Sequence, residues 1–122
     1  MNNYFSVVIS AYNASDFIGH TLDSVRKQNY KNYEVILVDD GSPVPMKKVI
    51  EEYKQKYPEF PLRYVWQENK GPAGARKKCA EEAQYKYIAM LDHDDIWREN
   101  KLSVMNEVVS EHEADVYYHD EM

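Results

Sequence analysis

Four short runs of aliphatic and β-branched residues recur along the chain, each followed by a stretch with helical spacing, and that alternation sets the fold class. The strand-sized runs are Ser6–Ser10, Tyr33–Val38, Leu62–Trp66 and Tyr87–Leu91. The first is followed by Phe17, Ile18, Leu22 and Val25, a helical pattern to about Gln28 for which Ser15 is the expected N-cap. Met46, Val49, Ile50, Tyr53 and Tyr57 mark a second helix closed by Pro58, and Ala75, Cys79, Ala80 and Ala83 a third, rich in small residues. Leu102, Met105, Val108 and Val109 predict a fourth helix, and Ala114–Tyr118 a last strand. Strand and helix in strict alternation, joined by short loops, imply a mostly parallel sheet with helices on both faces, an α/β three-layer sandwich. The 122 residues suffice for one such domain, over 1–122, and no repeat or linker divides them.

In a sheet of this kind all strands end on one edge, and ligands bind in the crevice outside that edge, where the strand order reverses. The residues at the strand ends therefore carry the functional information. The first strand runs into Ser10-Ala11-Tyr12-Asn13, the second into Asp39-Asp40-Gly41-Ser42-Pro43, and the fourth into Asp92-His93-Asp94-Asp95. Five carboxylates are thus expected on one rim, an arrangement that needs water, donors or a cation to offset its repulsion. A hard divalent ion, Mg²⁺ or Mn²⁺, suits oxygen-only ligands. Each feature also has a plainer reading. Asp-Asp-Gly-Ser-Pro is a good turn sequence, Asp94 or Asp95 is a fitting helix cap, and Tyr12 is one of 11 tyrosines, most of them packing residues. Three acids in four residues exceed what capping alone requires. His93 reads as a bystander between ligands, Cys79 and Ala83 as packing residues, and His20, His112 and His119 show no ligand spacing.

The net charge of -6 argues against a nucleic-acid binder, whose affinity rests on clustered Lys and Arg. Lys47-Lys48 and Arg76-Lys77-Lys78 are too short to change that and read as solvated helix faces. A single cysteine, Cys79, excludes an intrachain disulfide and fits a reducing, cytoplasmic setting. The start, Met1-Asn2-Asn3-Tyr4, lacks the pattern of a signal peptide. The longest apolar runs, such as Val35–Val38, fall far short of the roughly 20 residues of a membrane span.

Four segments taken together resemble glycosyltransferase family 2. They are Ser6–Asn13, Val38-Asp39-Asp40-Gly41-Ser42, Glu68-Asn69-Lys70-Gly71 with Ala75-Arg76, and Tyr87–Trp97. The resemblance runs from about Tyr4 to Tyr118 and implies the GT-A fold, with sugar transfer from a nucleotide diphosphate donor, expected to be a UDP-sugar, and inversion at the sugar carbon. It implies that Ser10 and Tyr12 hold the base, with the tyrosine ring stacked on it, and that Asp40 accepts a hydrogen bond from the base N3–H with Asp39 beside it. Arg76 lies where a basic residue approaches the nucleotide. Asp92 reaches the ribose or a metal-bound water, and Asp94 ligates Mn²⁺ or Mg²⁺, which bridges both phosphates. Two positions depart from the family pattern. Arg76 is followed by Lys77 rather than asparagine, and Tyr85 stands where a glycine is usual.

The family's catalytic base, which deprotonates the acceptor hydroxyl, lies well downstream, and so is expected beyond Met122. Asp120 and Glu121 read as surface residues instead. The chain is accordingly expected to be the donor-binding part of the enzyme, without the acceptor-binding part. The implied partners are a nucleotide-sugar donor and a sugar or lipid-linked acceptor, and the setting allows peripheral association with the inner face of the membrane. The competing readings are a non-catalytic nucleotide-sugar-binding module, a sugar nucleotidyltransferase and a receiver domain. The nucleotidyltransferase lacks its glycine-rich loop after the first strand. The receiver domain requires the acidic pair to end the first strand rather than the second.

Overall fold

The computed structural model describes residues 3–43, 46–92 and 95–112. Four strands, β1 (Phe5–Ala11), β2 (Tyr33–Asp40), β3 (Leu62–Gln67) and β4 (Tyr87–Asp92), alternate with α1 (Ile18–Arg26), α2 (Lys47–Lys56), α3 (Gly71–Glu82) and α4 (Lys101–His112). The expected fifth strand, Ala114–Tyr118, lies outside the described residues. The sheet is parallel throughout, in the order β3-β2-β1-β4.

That order follows from the handedness of crossovers. The chain steps from β1 to β2 to β3 in one direction, then returns past β1 to place β4 on its other side. Right-handed crossovers made in opposite directions leave their helices on opposite faces. Accordingly α1 and α2 bury Ile18, Leu22, Val25 and Ile50 against Phe5, Val7, Ile9, Val35 and Leu37, and α4, which follows β4, adds Leu102 and Met105 to the same cluster. On the other face α3 packs Cys79 over Val8, Ile36 and Val38. Strands buried on both sides read as unbroken apolar runs, which is why β1 and β2 stand out in the sequence. A network at the start of the sheet also anchors α3. Glu34 accepts hydrogen bonds from Ser6 Oγ (2.6 Å) and the Gln84 N–H (2.8 Å), and Arg63 pairs with Glu82.

Two boundaries differ from expectation. The first helix does not use Ser15 as its cap: the N-cap is Phe17, without a side-chain bond, because a backbone turn on the Ala14 carbonyl already receives the Phe17 and Ile18 N–H groups. The strands β2 and β4 extend to include Asp40 and Asp92, so these acids obey strand alternation rather than lying in loops. Buried Gln28 is a further surprise. Its Oε1 accepts the Leu102 N–H (2.9 Å) at the start of α4, and its Nε2 donates to the Arg98 carbonyl (2.5 Å). It thereby pins the chain that follows β4 to the end of α1. No helix among the described residues is long and apolar enough to cross a membrane.

Candidate active-site cleft

Successive side chains in a strand point to opposite faces, and that period of two sorts the acidic residues. Val8, Ile36 and Val38 pack under α3, so Ser10, Asp40 and Asp92, an even number of positions along their strands from residues on that face, point to the α3 side. Ser10 and Asp92 are direct register partners across β1 and β4. These three side chains, with Tyr12, border a cleft of about 400 Å³ at the carboxyl ends of the strands. Its walls are completed by Ala11, Asn69, Gly71, Pro72 and Ala75. The cleft thus sits where the strand order reverses, the position expected for a ligand in an open α/β sheet.

Asp40 is nearly buried, and one oxygen is fully engaged. Its Oδ1 accepts the Lys70 N–H (2.9 Å) and Gln67 Nε2 (3.0 Å), while Asn69 Nδ2 donates to its main-chain carbonyl (3.0 Å). Its Oδ2 has no partner among the described residues. Lys70 is the N-cap residue of α3, and its N–H on Asp40 brings the N-terminal end of that helix beside this carboxylate. Gly41 explains how the two loops come so close. It has φ +72°, and a Cβ there would lie 2.5 Å from the Asn69 nitrogen, so the position admits only glycine.

Asp39 has a different environment from its neighbour. It faces the α1/α2 side, is 0% exposed and does not line the cleft. Its Oδ1 accepts Ser42 Oγ (2.5 Å) and the Ser42 N–H (3.1 Å); its Oδ2 accepts Tyr64 OH (2.6 Å) and the Met46 N–H (3.1 Å). The Tyr64 hydroxyl is pushed well above the usual phenol range, by burial first and then by this bond to Asp39. Ser42 Oγ in turn accepts the Asn13 N–H (2.8 Å), and Asn13 has the left-handed φ of 52° that asparagine tolerates. The placement of Asp39 at the ligand beside Asp40 is therefore corrected: strand alternation turns it into the protein, where four donors satisfy it.

The remaining expected residues divide. Tyr12 is 46% exposed at the cleft mouth, free to present its ring. Asp92 is half-buried, and its carbonyl accepts the Asp95 N–H (3.1 Å). Arg76 is exposed and is not among the residues bordering the cleft. Asp94 and His93 lie outside the described residues. Among the described residues no three His, Cys, Asp or Glu side chains gather as a metal site; of the five carboxylates expected on one rim, Asp40 and Asp92 border the cleft, Asp39 and Asp95 do not, and Asp94 lies outside the described residues. Asn69, Pro72 and Ala75 border the cleft without having been expected there. Their signal was positional, since they follow the third strand just as Tyr12 follows the first.

Comparison with known proteins agrees with this geometry. Residues 6–120 match Glycosyl transferase family 2. The chain is 38% identical over 106 residues to the putative teichuronic acid biosynthesis glycosyltransferase TuaG of Bacillus subtilis, covering 87% of this chain and 42% of TuaG. It is 39% identical over 101 residues to the Escherichia coli UDP-Glc:alpha-D-GlcNAc-diphosphoundecaprenol beta-1,3-glucosyltransferase WfaP, covering 80% of this chain and 38% of WfaP. Among solved structures, residues 1–349 of Staphylococcus aureus TarS in complex with UDP superpose with a TM-score of 0.80 at 28% identity, over 92% of this chain and 33% of that one. The chain thus spans well under half the length of these relatives. Its parallel sheet with helices on both faces is the GT-A fold of such enzymes. By sequence and by fold, the chain belongs to glycosyltransferase family 2.

Proposed function

We propose that the cleft binds the nucleoside diphosphate of a sugar donor, and that the chain is the donor-binding part of an inverting glycosyltransferase. The observation that carries this reading is the arrival of Ser10, Asp40 and Asp92 from three strands in one cleft at the switch point, beneath an exposed Tyr12. A pyrimidine imide suits it, and of uracil and thymine the relatives named below favour uracil. An imide N3–H needs an acceptor, and Asp40 Oδ2 is an acceptor whose twin oxygen is already fixed by Lys70 and Gln67. Tyr12 offers a ring for stacking at the mouth, and Ser10 a hydroxyl between base and ribose. The names of two relatives support the same donor class: WfaP is named for UDP-Glc, and TarS was crystallised with UDP.

A divalent ion fits the donor set at the end of β4. Asp92 supplies a half-buried carboxylate on the cleft side, and Asp94, two residues on, supplies the second oxygen ligand. When bound, Mn²⁺ or Mg²⁺ offsets the negative charge that grows on the diphosphate as the sugar departs. Asp92 also lies opposite Ser10 across β1 and β4, and in this reading it reaches the ribose that Ser10 helps to hold. The pocket for the acceptor, and the base that deprotonates its hydroxyl, are proposed to belong to parts of the enzyme outside this chain. WfaP is named for a diphosphoundecaprenol-linked acceptor, and a lipid-linked acceptor at the cytoplasmic membrane face is the class proposed here.

Calorimetric titration of the chain with UDP, GDP and dTDP, with and without Mn²⁺, tests the reading. UDP is expected to bind most tightly, Mn²⁺ to strengthen it, and Asp94→Ala to abolish the effect of the metal while leaving metal-free binding intact. Absence of binding by any of the three nucleotides, from a folded chain, contradicts it.

A further inference from the structure

We propose that Asp39 is a positioning residue for nucleotide binding, one that sets the Tyr12–Asn13 segment through Ser42 without touching the ligand. The inference rests on the nucleotide reading of the cleft and adds to it a residue on the other face of the sheet.

The carboxylate of Asp39 has two arms. Through Oδ1 it takes both the hydroxyl and the N–H of Ser42, at 2.5 and 3.1 Å. A serine hydroxyl has one proton, and here that proton goes to Asp39. The lone pairs of Ser42 Oγ are therefore turned to the Asn13 N–H, 2.8 Å away. The bonds run in one direction, from Asn13 to Ser42 to Asp39, and they start at the residue that follows Tyr12. Asn13 sits at φ 52°, a conformation that asparagine tolerates but does not prefer, so an external bond is needed to hold it. Tyr12 is 46% exposed, and its ring is aimed mainly by its backbone. Through Oδ2 the second arm takes Tyr64 OH at 2.6 Å and the Met46 N–H at 3.1 Å, tying in β3 and the start of α2.

Only a carboxylate serves both arms. An asparagine at 39 has the same shape but a single acceptor oxygen. Whichever way its amide turns, the NH₂ faces a backbone N–H, that of Ser42 or that of Met46, and one of them loses its acceptor. The two arms also make the role separable from general stability. Cutting the Ser42 arm frees the segment beside the nucleotide; cutting the Tyr64 arm removes a bond to the same carboxylate but leaves that segment held.

The test compares Ser42→Ala with Tyr64→Phe in the 122-residue chain, by UDP affinity and thermal melting, with the Asn13 amide followed by NMR. Both variants are expected to melt lower. Ser42→Ala is expected to weaken UDP about tenfold and move the Asn13 amide, the scale of one lost hydrogen bond. Tyr64→Phe is expected to stay within about twofold of the wild type, since its bond is remote from the cleft. Ser42→Cys keeps the side chain's shape with a weaker donor and acceptor; it serves if the alanine variant fails to fold, with an intermediate loss expected. Equal loss of affinity in the Ser42 and Tyr64 variants overturns the inference, as does unchanged affinity in both Ser42 variants. A folded wild type that binds no nucleotide overturns the nucleotide reading itself, and this inference with it.

Discussion

Gly41 and Gly71 form a matched pair from which the tightness of the cleft can be measured. Both have left-handed backbone, φ +72° and +79°. At Gly71 an added Cβ would meet nothing within 4 Å, whereas at Gly41 it would lie 2.5 Å from the Asn69 nitrogen and 3.0 Å from its Cα. Alanine at either site costs about 1–2 kcal/mol of backbone strain, offset by about 0.4–1 kcal/mol from the less flexible unfolded chain. Gly71→Ala should therefore destabilise by about 1 kcal/mol or less. At Gly41 the β3–α3 loop must also move. That movement breaks the bond from Asn69 to the Asp40 carbonyl and strains that from Lys70 to Asp40 Oδ1. Each is worth about 1 kcal/mol, which brings Gly41→Ala to about 3 kcal/mol. For a domain of this size that is a fall in melting temperature of roughly 10–15 °C, against a few degrees for Gly71→Ala. Urea titration of the two variants, with thermal melts alongside, gives the comparison. Equal losses would show that the contact between the loops contributes nothing and that Asp40 is held by other means.

Asp40→Asn should invert the preference of the cleft for a base. With its oxygen kept by Lys70 and Gln67, the amide turns its NH₂ toward the ligand, so UDP should weaken about tenfold or more while CDP, whose N3 is an acceptor, gains relative to it in parallel calorimetric titrations. Gln28→Leu leaves the Leu102 N–H buried without its acceptor and should cost about 2 kcal/mol, read as a lower urea midpoint with an unchanged slope. Glu82 is held below the usual carboxylate range chiefly by its hydrogen bond from Arg63. A depressed acid stabilises the fold above its unfolded pKa and loses that contribution as pH falls through its folded value. The stability gap between the wild type and Glu82→Gln should therefore be open at pH 7 and close as the solution is acidified toward pH 3; a gap that is constant with pH would contradict it.

The element order was legible because β1 and β2 are buried on both faces and the helices on one, so the two periods stand apart in the sequence. The candidate cleft was legible as a set of strand ends, since Ser10, Tyr12, Asp40 and Asp92 border it together. The division between Asp39 and Asp40 could have been read from alternation alone, had the strand been extended by two residues. It was hidden because an Asp-Asp-Gly-Ser run looks like a turn. Gln28 carried no local signal, since its partners at Arg98 and Leu102 are some 70 positions away and a buried glutamine at a helix end resembles an exposed one. Ser15 failed as a cap for the opposite reason: it has the right chemistry, but the backbone turn at Ala14 had already taken its role.

Everything proposed for this chain depends on where the nucleotide sits. Titration of the isotopically labelled chain with UDP, followed by amide NMR, locates it directly. The expected result is a set of shifts confined to residues 10–13, 40–42, 69–75 and 92, at the carboxyl ends of the strands. Shifts centred instead at the opposite end of the sheet, around Arg26, Lys56 and Phe60, would contradict the cleft as the binding site.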